Sequence, residues 1–157
     1  MTLAVGDKAP AFAAQDQDGK MRALKDYSGK WLLLYFYPRD NTPGCTTEAC
    51  AIRDNFATFE KFGAAVLGVS TDTADSHKKF GEKHRLPFSL LADPDKKIVQ
   101  EYGAWGAKKF MGKTYHGTHR TSFLIGPDGK IARIYEKVKP AHHAKEVLED
   151  IAELSKA

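Results

Sequence analysis

Cysteine is scarce in this chain: two residues in 157, Cys45 and Cys50. Two cysteines cannot build the disulfide framework of a small secreted domain. A close pair in a reducing compartment points instead to catalysis, redox sensing or metal binding. Long apolar runs are missing as well. The longest, Trp31 to Tyr37, is far too short to cross a bilayer as a helix, so no membrane segment is expected. The opening residues, MTLAVGDKAPAF, lack the basic start and apolar stretch of a signal peptide and the Arg/Ser-rich length of a transit peptide. The expected address is therefore cytoplasmic. There is no long basic run either. The 24 Lys and Arg residues are interspersed with 20 Asp and Glu, so a net charge of +4 reads as a solvated mixed surface and not as a nucleic-acid footprint. Repeats, low-complexity tracts and linkers are absent, which leaves one domain over residues 1–157.

What is present is a clear alternation of elements. PAFAAQDQDGKMRALKDYSGK reads as a hairpin-like lead-in with Asp18-Gly19 at its turn. WLLLYFYP is a continuous apolar run that predicts a strand covered on both faces. A helix is expected from Pro43 to Phe62, with Cys45, Ala49, Ile52, Phe56 and Phe59 on its apolar stripe and Gly63 closing it. AAVLGVS is a second buried strand, completing a right-handed βαβ unit. Beyond it the pattern predicts a helix over 73–85, a short strand in FSLLAD, and a helix from Asp93-Pro94 to about Gly103. RTSFLIGPDGKIARIYEKV predicts an antiparallel hairpin around Gly-Pro-Asp-Gly. The last helix is expected from about Pro140, with Ala144, Val147, Leu148, Ile151 and Leu154 on one face and His142-His143 solvated at its start. This order predicts an α/β, thioredoxin-like fold with an N-terminal hairpin extension and a central insertion.

The chemistry gathers at Cys45. Thr42 suits the N-cap and Pro43 the first helical position, so Cys45 falls in the first turn. Unpaired backbone N–H groups and the positive end of the helix dipole favour a thiolate there. The preceding strand delivers this helix start to the carboxyl edge of the sheet, where α/β proteins place their sites. Arg120 immediately precedes the strand 121–125. If that strand runs antiparallel to the first buried strand, Arg120 arrives beside Cys45 and donates to the sulfur or to an oxygen substrate. A plain strand-end surface arginine is the competing reading. Glu48 suits a helix N-terminus on electrostatic grounds alone, with proton handling as its second reading.

These residues resemble the peroxiredoxins. PRDNTPGC fits the Pro-x-x-x-Thr-x-x-Cys motif through Pro38, Thr42 and Cys45, and YPRDNTPGCTTEAC resembles the Q-type subgroup, the bacterioferritin comigratory proteins. The likeness runs from VGDKAPAF through GVSTD to HRTSFLIGPDGKI, which adds Arg120. It implies a thiol peroxidase in which Cys45 attacks the peroxide, Thr42 and Arg120 hold the two oxygens, and Pro38 shields the thiolate. It further implies that Cys50 resolves the sulfenic acid as a Cys45–Cys50 disulfide recycled by thioredoxin. No cofactor or bound metal is expected. An internal resolving cysteine removes the chemical need for a dimer, so a monomer is expected.

Three other readings compete. A zinc site would take Cys45, Cys50, His116 and His119, but the His-Gly-Thr-His spacing is short and the two cysteines point to different sides of a helix. A dithiol-disulfide oxidoreductase usually carries Cys-x-x-Cys, which this chain lacks. A redox-sensing binding protein needs only Cys45. His77, Phe80 and His84 share a helical face that reads as packing. Phe36, Tyr37 and Trp105 serve equally as core or as the lining of an apolar pocket.

Overall fold

The computed structural model describes residues 3–156. A five-stranded mixed sheet forms its centre. Its strands are β3 (Trp31–Phe36), β4 (Ala64–Ser70), β5 (Ser89–Ala92), β8 (Thr121–Ile125) and β9 (Ile131–Tyr135), in the order β5-β4-β3-β8-β9. β3, β4 and β5 are parallel, whereas β8 runs antiparallel to β3 and β9 antiparallel to β8. The apolar run in β3 now has its reason. Leu33, Tyr35 and Tyr37 enter one core with Ile52, Phe59, Val147 and Ile151, while Leu32, Leu34 and Phe36 enter the other with Val69, Val99 and Phe123. Side chains alternate across a strand, so a strand covered on both faces must be apolar throughout.

Helices α1 (Pro43–Asp54), α2 (Phe56–Lys61), α3 (Ala74–His84) and α5 (His143–Leu154) surround the first core, and α4 (Lys97–Glu101) seals the second. The lead-in hairpin pairs β1 (Ala13–Gln15) with β2 (Met21–Ala23). Its turn is tied by the Asp16 carboxylate, which accepts from the N–H groups of Asp18 and Lys20 and from Arg22. α3 starts as expected: the Thr73 side chain accepts from the N–H of Ser76 at 3.2 Å. Among the described residues no helix is long and apolar enough to cross a membrane.

Three expectations change. The helix expected over 43–62 breaks at Asn55, whose side-chain amide donates to the Ala51 carbonyl at 2.8 Å. The Asn55 backbone N–H turns instead to Ile52, so the regular ladder stops there. Gly63, at φ +68°, closes the second segment as anticipated. The helix expected to open with Asp93 as N-cap and Pro94 as its first residue starts three residues later, because Lys96 adopts a left-handed conformation at φ 60°. Asp93 still caps it, accepting from the N–H groups of Lys97, Ile98 and Val99. Finally, a second hairpin pairs β6 (Trp105–Phe110) with β7 (Lys113–Thr118), where no element was expected. It joins neither of the other two sheets.

Candidate active site

The loop after β3 and the first turn of α1 carry the site. Thr42 is extended at the N-cap and Pro43 takes the first helical position. The Thr42 backbone carbonyl receives the N–H of Thr46 at 2.8 Å, which sets the first turn. Its hydroxyl does not cap the helix; it donates to the Arg39 carbonyl at 2.9 Å. Cys45 lies in the first turn, 1% exposed and unpaired as a thiol, whereas Cys50 on the same helix is half-buried.

Arg120 reaches this turn through sheet register. Phe36 pairs with Thr121, so the residue before β8 lies beside the residue after β3. Arg120 Nη2 donates to Cys45 Sγ at 3.4 Å and Nη1 to Glu48 Oε1 at 2.8 Å. Gly44 makes room for this approach, since a Cβ there would lie 3.0 Å from Arg120 Nη2. Glu48 is fully buried, and its other oxygen has no protein partner among the described residues. Burial pushes the Glu48 carboxyl up to about 7, even though the Arg120 guanidinium pulls the other way.

A second cluster pins the loop from below. Asp40 Oδ1 accepts from the Tyr37 hydroxyl at 2.6 Å, and Oδ2 accepts from Ser76 Oγ and meets His77 Nδ1, each at 2.7 Å. The Asp40 N–H donates to Asp72 Oδ2 at 2.7 Å. His77 Nε2 faces the Leu91 carbonyl at 2.9 Å; a carbonyl only accepts, so that nitrogen carries a proton. Burial pushes Asp40 up, but hydrogen bonds from His77, Tyr37 and Ser76 outweigh it and hold the carboxyl below its ordinary value. The loop is thereby fastened to α3 and to the turn after β4.

A helix-start thiol held by an arginine from the antiparallel neighbour strand has relatives. The AhpC/TSA family profile matches residues 5–134. Peroxiredoxin Bcp of Escherichia coli K12 is 48% identical over 146 residues, covering 93% of this chain and 94% of that one. The chain is a peroxiredoxin. Peroxiredoxin Bcp of Bacillus subtilis is 43% identical over 155 residues, covering 99% of both chains. Among solved structures, a mutant of Xylella fastidiosa PrxQ superposes with a TM-score of 0.93 at 33% identity, covering 99% of both chains. The bacterioferritin comigratory protein of Xanthomonas campestris, solved as a trapped intermediate/ligand complex bearing on its alkyl peroxide reduction, gives a TM-score of 0.87. It is 35% identical over 92% of both chains. The peroxiredoxin fold is thus thioredoxin-like, as the element order predicts.

In this peroxiredoxin, Thr42, Cys45 and Arg120 converge at the start of α1, next to the loop that carries Pro38. Phe36 and Tyr37 are core residues. The zinc ligands do not assemble: among the described residues, the one group of three metal-capable side chains within reach of each other is Asp40, Asp72 and His77. His143 is not solvated. It is buried, with Nε2 2.8 Å from Ser122 Oγ and Nδ1 3.1 Å from Glu146 Oε1, and ties α5 to β8. Ser122 is itself fully buried, so this trio is a fastening and not a nucleophile open to substrate. His77 is buried, as expected, with its ring beside Tyr37 and its Nδ1 on Asp40, while His84 packs edge-on against Phe80. Asp40 and Gly44 escape a reading of local pattern; their partners Asp72, His77 and Arg120 lie far along the chain.

The Glu48 carboxyl has a thermodynamic signature. From its ordinary 4.5 up to about 7, the native chain keeps a proton that the unfolded chain has released. The unfolded state binds fewer protons there, so this group makes stability fall as pH rises through the window. Glu48→Gln removes that contribution. Melting temperatures taken from about pH 5 to about pH 8 should therefore fall less steeply, relative to wild type, in the variant. Parallel curves would show that Glu48 titrates in its ordinary range.

Proposed function

We propose that Cys45 is the peroxidatic residue of a thiol peroxidase and that Cys50 resolves it within the same chain. The observation that carries this reading is the Arg120 guanidinium, which touches Cys45 Sγ at 3.4 Å over a first helical turn. Sγ attacks one peroxide oxygen and the O–O bond breaks. That oxygen stays on sulfur as a sulfenic acid, and the other leaves and takes up a proton as water or an alcohol. Negative charge moves from sulfur to the leaving oxygen. Arg120 and the first-turn N–H groups are aimed at both, so they act on the transition state. The Thr42 hydroxyl already donates to Arg39, leaving its lone pairs to accept from the peroxide O–H. Pro38 covers the approach and keeps water from the thiolate. Cys50 then attacks the sulfenic sulfur, water leaves, and a Cys45–Cys50 disulfide remains. A dithiol reductant, thioredoxin in this reading, takes the disulfide electrons back to two thiols.

The alkyl peroxide reduction of the Xanthomonas relative supports organic hydroperoxides as substrates beside hydrogen peroxide. We place the enzyme in the cytoplasm as a monomer, since its resolving thiol sits on its own helix. The test is peroxide consumption by purified protein with and without a thiol reductant. Many turnovers with reductant support the peroxidase. A single stoichiometric oxidation would mark a sensor, and no consumption would refute both.

The resolving step requires the helix to open. Five residues of α-helix rise about 7.5 Å and turn about 140°, which puts the Cα atoms of positions 45 and 50 about 8.7 Å apart. A disulfide needs roughly 4.4–6.8 Å. Cys45 is also enclosed while Cys50 is partly open to solvent, so the two thiols cannot meet on the folded helix. Oxidation should therefore unwind at least the first two turns of α1. Hydrogen exchange over residues 43–54 is expected to be much faster in the oxidised protein, with helix lost in far-UV circular dichroism. Equal protection in both redox states would rule out Cys50 as the resolving partner.

A further inference from the structure

The distribution of charge around the β6–β7 hairpin is unequal to the rest of the chain. Residues 102–127 contain Lys108, Lys109, Lys113 and Arg120 and no Asp or Glu. With those four set aside, the remaining Lys and Arg equal the Asp and Glu in number, so this stretch carries the whole net charge of +4. The hairpin is also an arm. Its strands pair only with each other, and its base is fixed by Trp105 in the second core and by the His119 N–H donating to the Ala104 carbonyl. The outer part is bare: Phe110, Met111 and Tyr115 are 66%, 88% and 47% exposed, beside exposed Lys109 and Lys113.

The arm stands next to the thiol. Two residues past the end of β7 comes Arg120, whose guanidinium holds Cys45 Sγ. A cleft of about 350 Å³ is lined by Pro38 and Arg39 of the active-site loop, by Asp72 after β4, and by Lys108, Tyr115 and His116 of the hairpin. Lys108 lies close enough to Arg120 and Cys45 to feel both. A macromolecule seated on the hairpin therefore lies over the site where the disulfide forms.

We propose that the β6–β7 hairpin is the docking arm for a protein dithiol reductant whose active face is apolar at its centre and ringed by carboxylates. The proposal rests on the peroxidase reading and adds the surface that the reductant recognises. Phe110, Met111 and Tyr115 supply apolar contact of the kind that anchors interfaces. Lys109, Lys113 and Arg39 supply the complementary charge, which acts chiefly on the association rate. A second copy of the chain is a poor occupant, because two arms of the same sign repel. A nucleic acid would satisfy the charge but has no dithiol to bring to Cys45.

The test uses Lys109→Glu/Lys113→Glu and, separately, Phe110→Ser. Neither variant touches the residues around Cys45. Steady-state peroxide reduction is measured with a bacterial thioredoxin, its reductase and NADPH, and again with dithiothreitol as the sole reductant. The double variant should raise the KM for thioredoxin on the order of tenfold, with turnover on dithiothreitol unchanged. Added salt should lower kcat/KM for thioredoxin in the wild type and much less in the double variant. Phe110→Ser should raise the same KM without altering the salt dependence. An unchanged KM, or an equal loss with both reductants, overturns the arm. So does wild-type turnover on dithiothreitol with none on thioredoxin. Loss of duplex-DNA binding or of self-association in the double variant, with the thioredoxin KM unmoved, would reassign the surface and overturn it too. Failure of the wild type to consume peroxide with either reductant is a different result, and it refutes the peroxidase reading itself.

Discussion

Replacing Cys45 with Ser is expected to reduce peroxide consumption below detection, while Cys50→Ser retains one fast turnover and then stalls on thioredoxin. The asymmetry follows from placement. Cys45 occupies the first turn of α1 under the Arg120 guanidinium, whereas the other cysteine, Cys50, lies beyond it. A serine hydroxyl keeps the shape but is not ionised at neutral pH, so the nucleophile is gone. Cys50 lies further along the helix, and the two Arg120 hydrogen bonds go to Cys45 and Glu48 instead. Its loss leaves the attack intact and strands the product as a sulfenic acid, which further peroxide drives to the sulfinic acid. Rapid mixing with one equivalent of peroxide, followed by mass spectrometry, separates the two variants. Equal damage in that single turnover would contradict the division of labour.

Arg120→Ala should lower kcat/KM for peroxide on the order of 100- to 1,000-fold, the range seen when one preorganised donor to a developing oxyanion is removed. The change takes away more than a charge. It takes the partner from Glu48 Oε1 in a buried place beside the thiol, where burial then holds the carboxyl protonated, and an unsatisfied buried polar group is costly. Arg120→Lys should recover little, because one ammonium cannot serve Cys45 Sγ and Glu48 together as the planar fork does. Arg120→Ala/Glu48→Gln is the informative companion: it restores a satisfied interior without restoring the donor. Stability should return in the double variant and the peroxide rate should not. A rate near wild type in Arg120→Ala would remove Arg120 from the chemistry.

The parts of the molecule legible in the sequence were those governed by near neighbours or by a period. Trp31 to Tyr37 announces a strand covered on both faces because both of its alternating sets are apolar. Thr42-Pro43 announces a helix start, and strand order offers Arg120 to Cys45 against the competing reading of a surface arginine, which the Phe36–Thr121 register then decides. Asn55 is different. Phe56 and Phe59 continue the apolar stripe through the break, so the period conceals it, and only the side-chain bond to Ala51 reveals it. Asp40 and His77 meet across 37 residues, a contact that no local pattern encodes. His143 has the composition of a solvated helix start, yet Ser122 on a distant strand draws it inward. The β6–β7 hairpin is exposed over most of its length, so it lacks the alternation that marks a half-buried strand.

The interruption at Asn55 works as a firebreak. Had the helix run without a seam to Phe62, any melting begun at Cys45 would travel down one continuous ladder toward Phe59, which lies fully buried. With the seam, the opening that the proposed Cys45–Cys50 disulfide requires is bounded at the twelve residues of α1. The far side stays put, with Phe59 in the core and Gly63 turning the chain into β4. The Asp40 cluster sets the opposite boundary by holding the loop on the near side. Between these two fixed ends the chain behaves like a drawbridge. On the proposed cycle its span would drop and be raised again between abutments held by their own packing and hydrogen bonds, with no need to search for the native path on each closure.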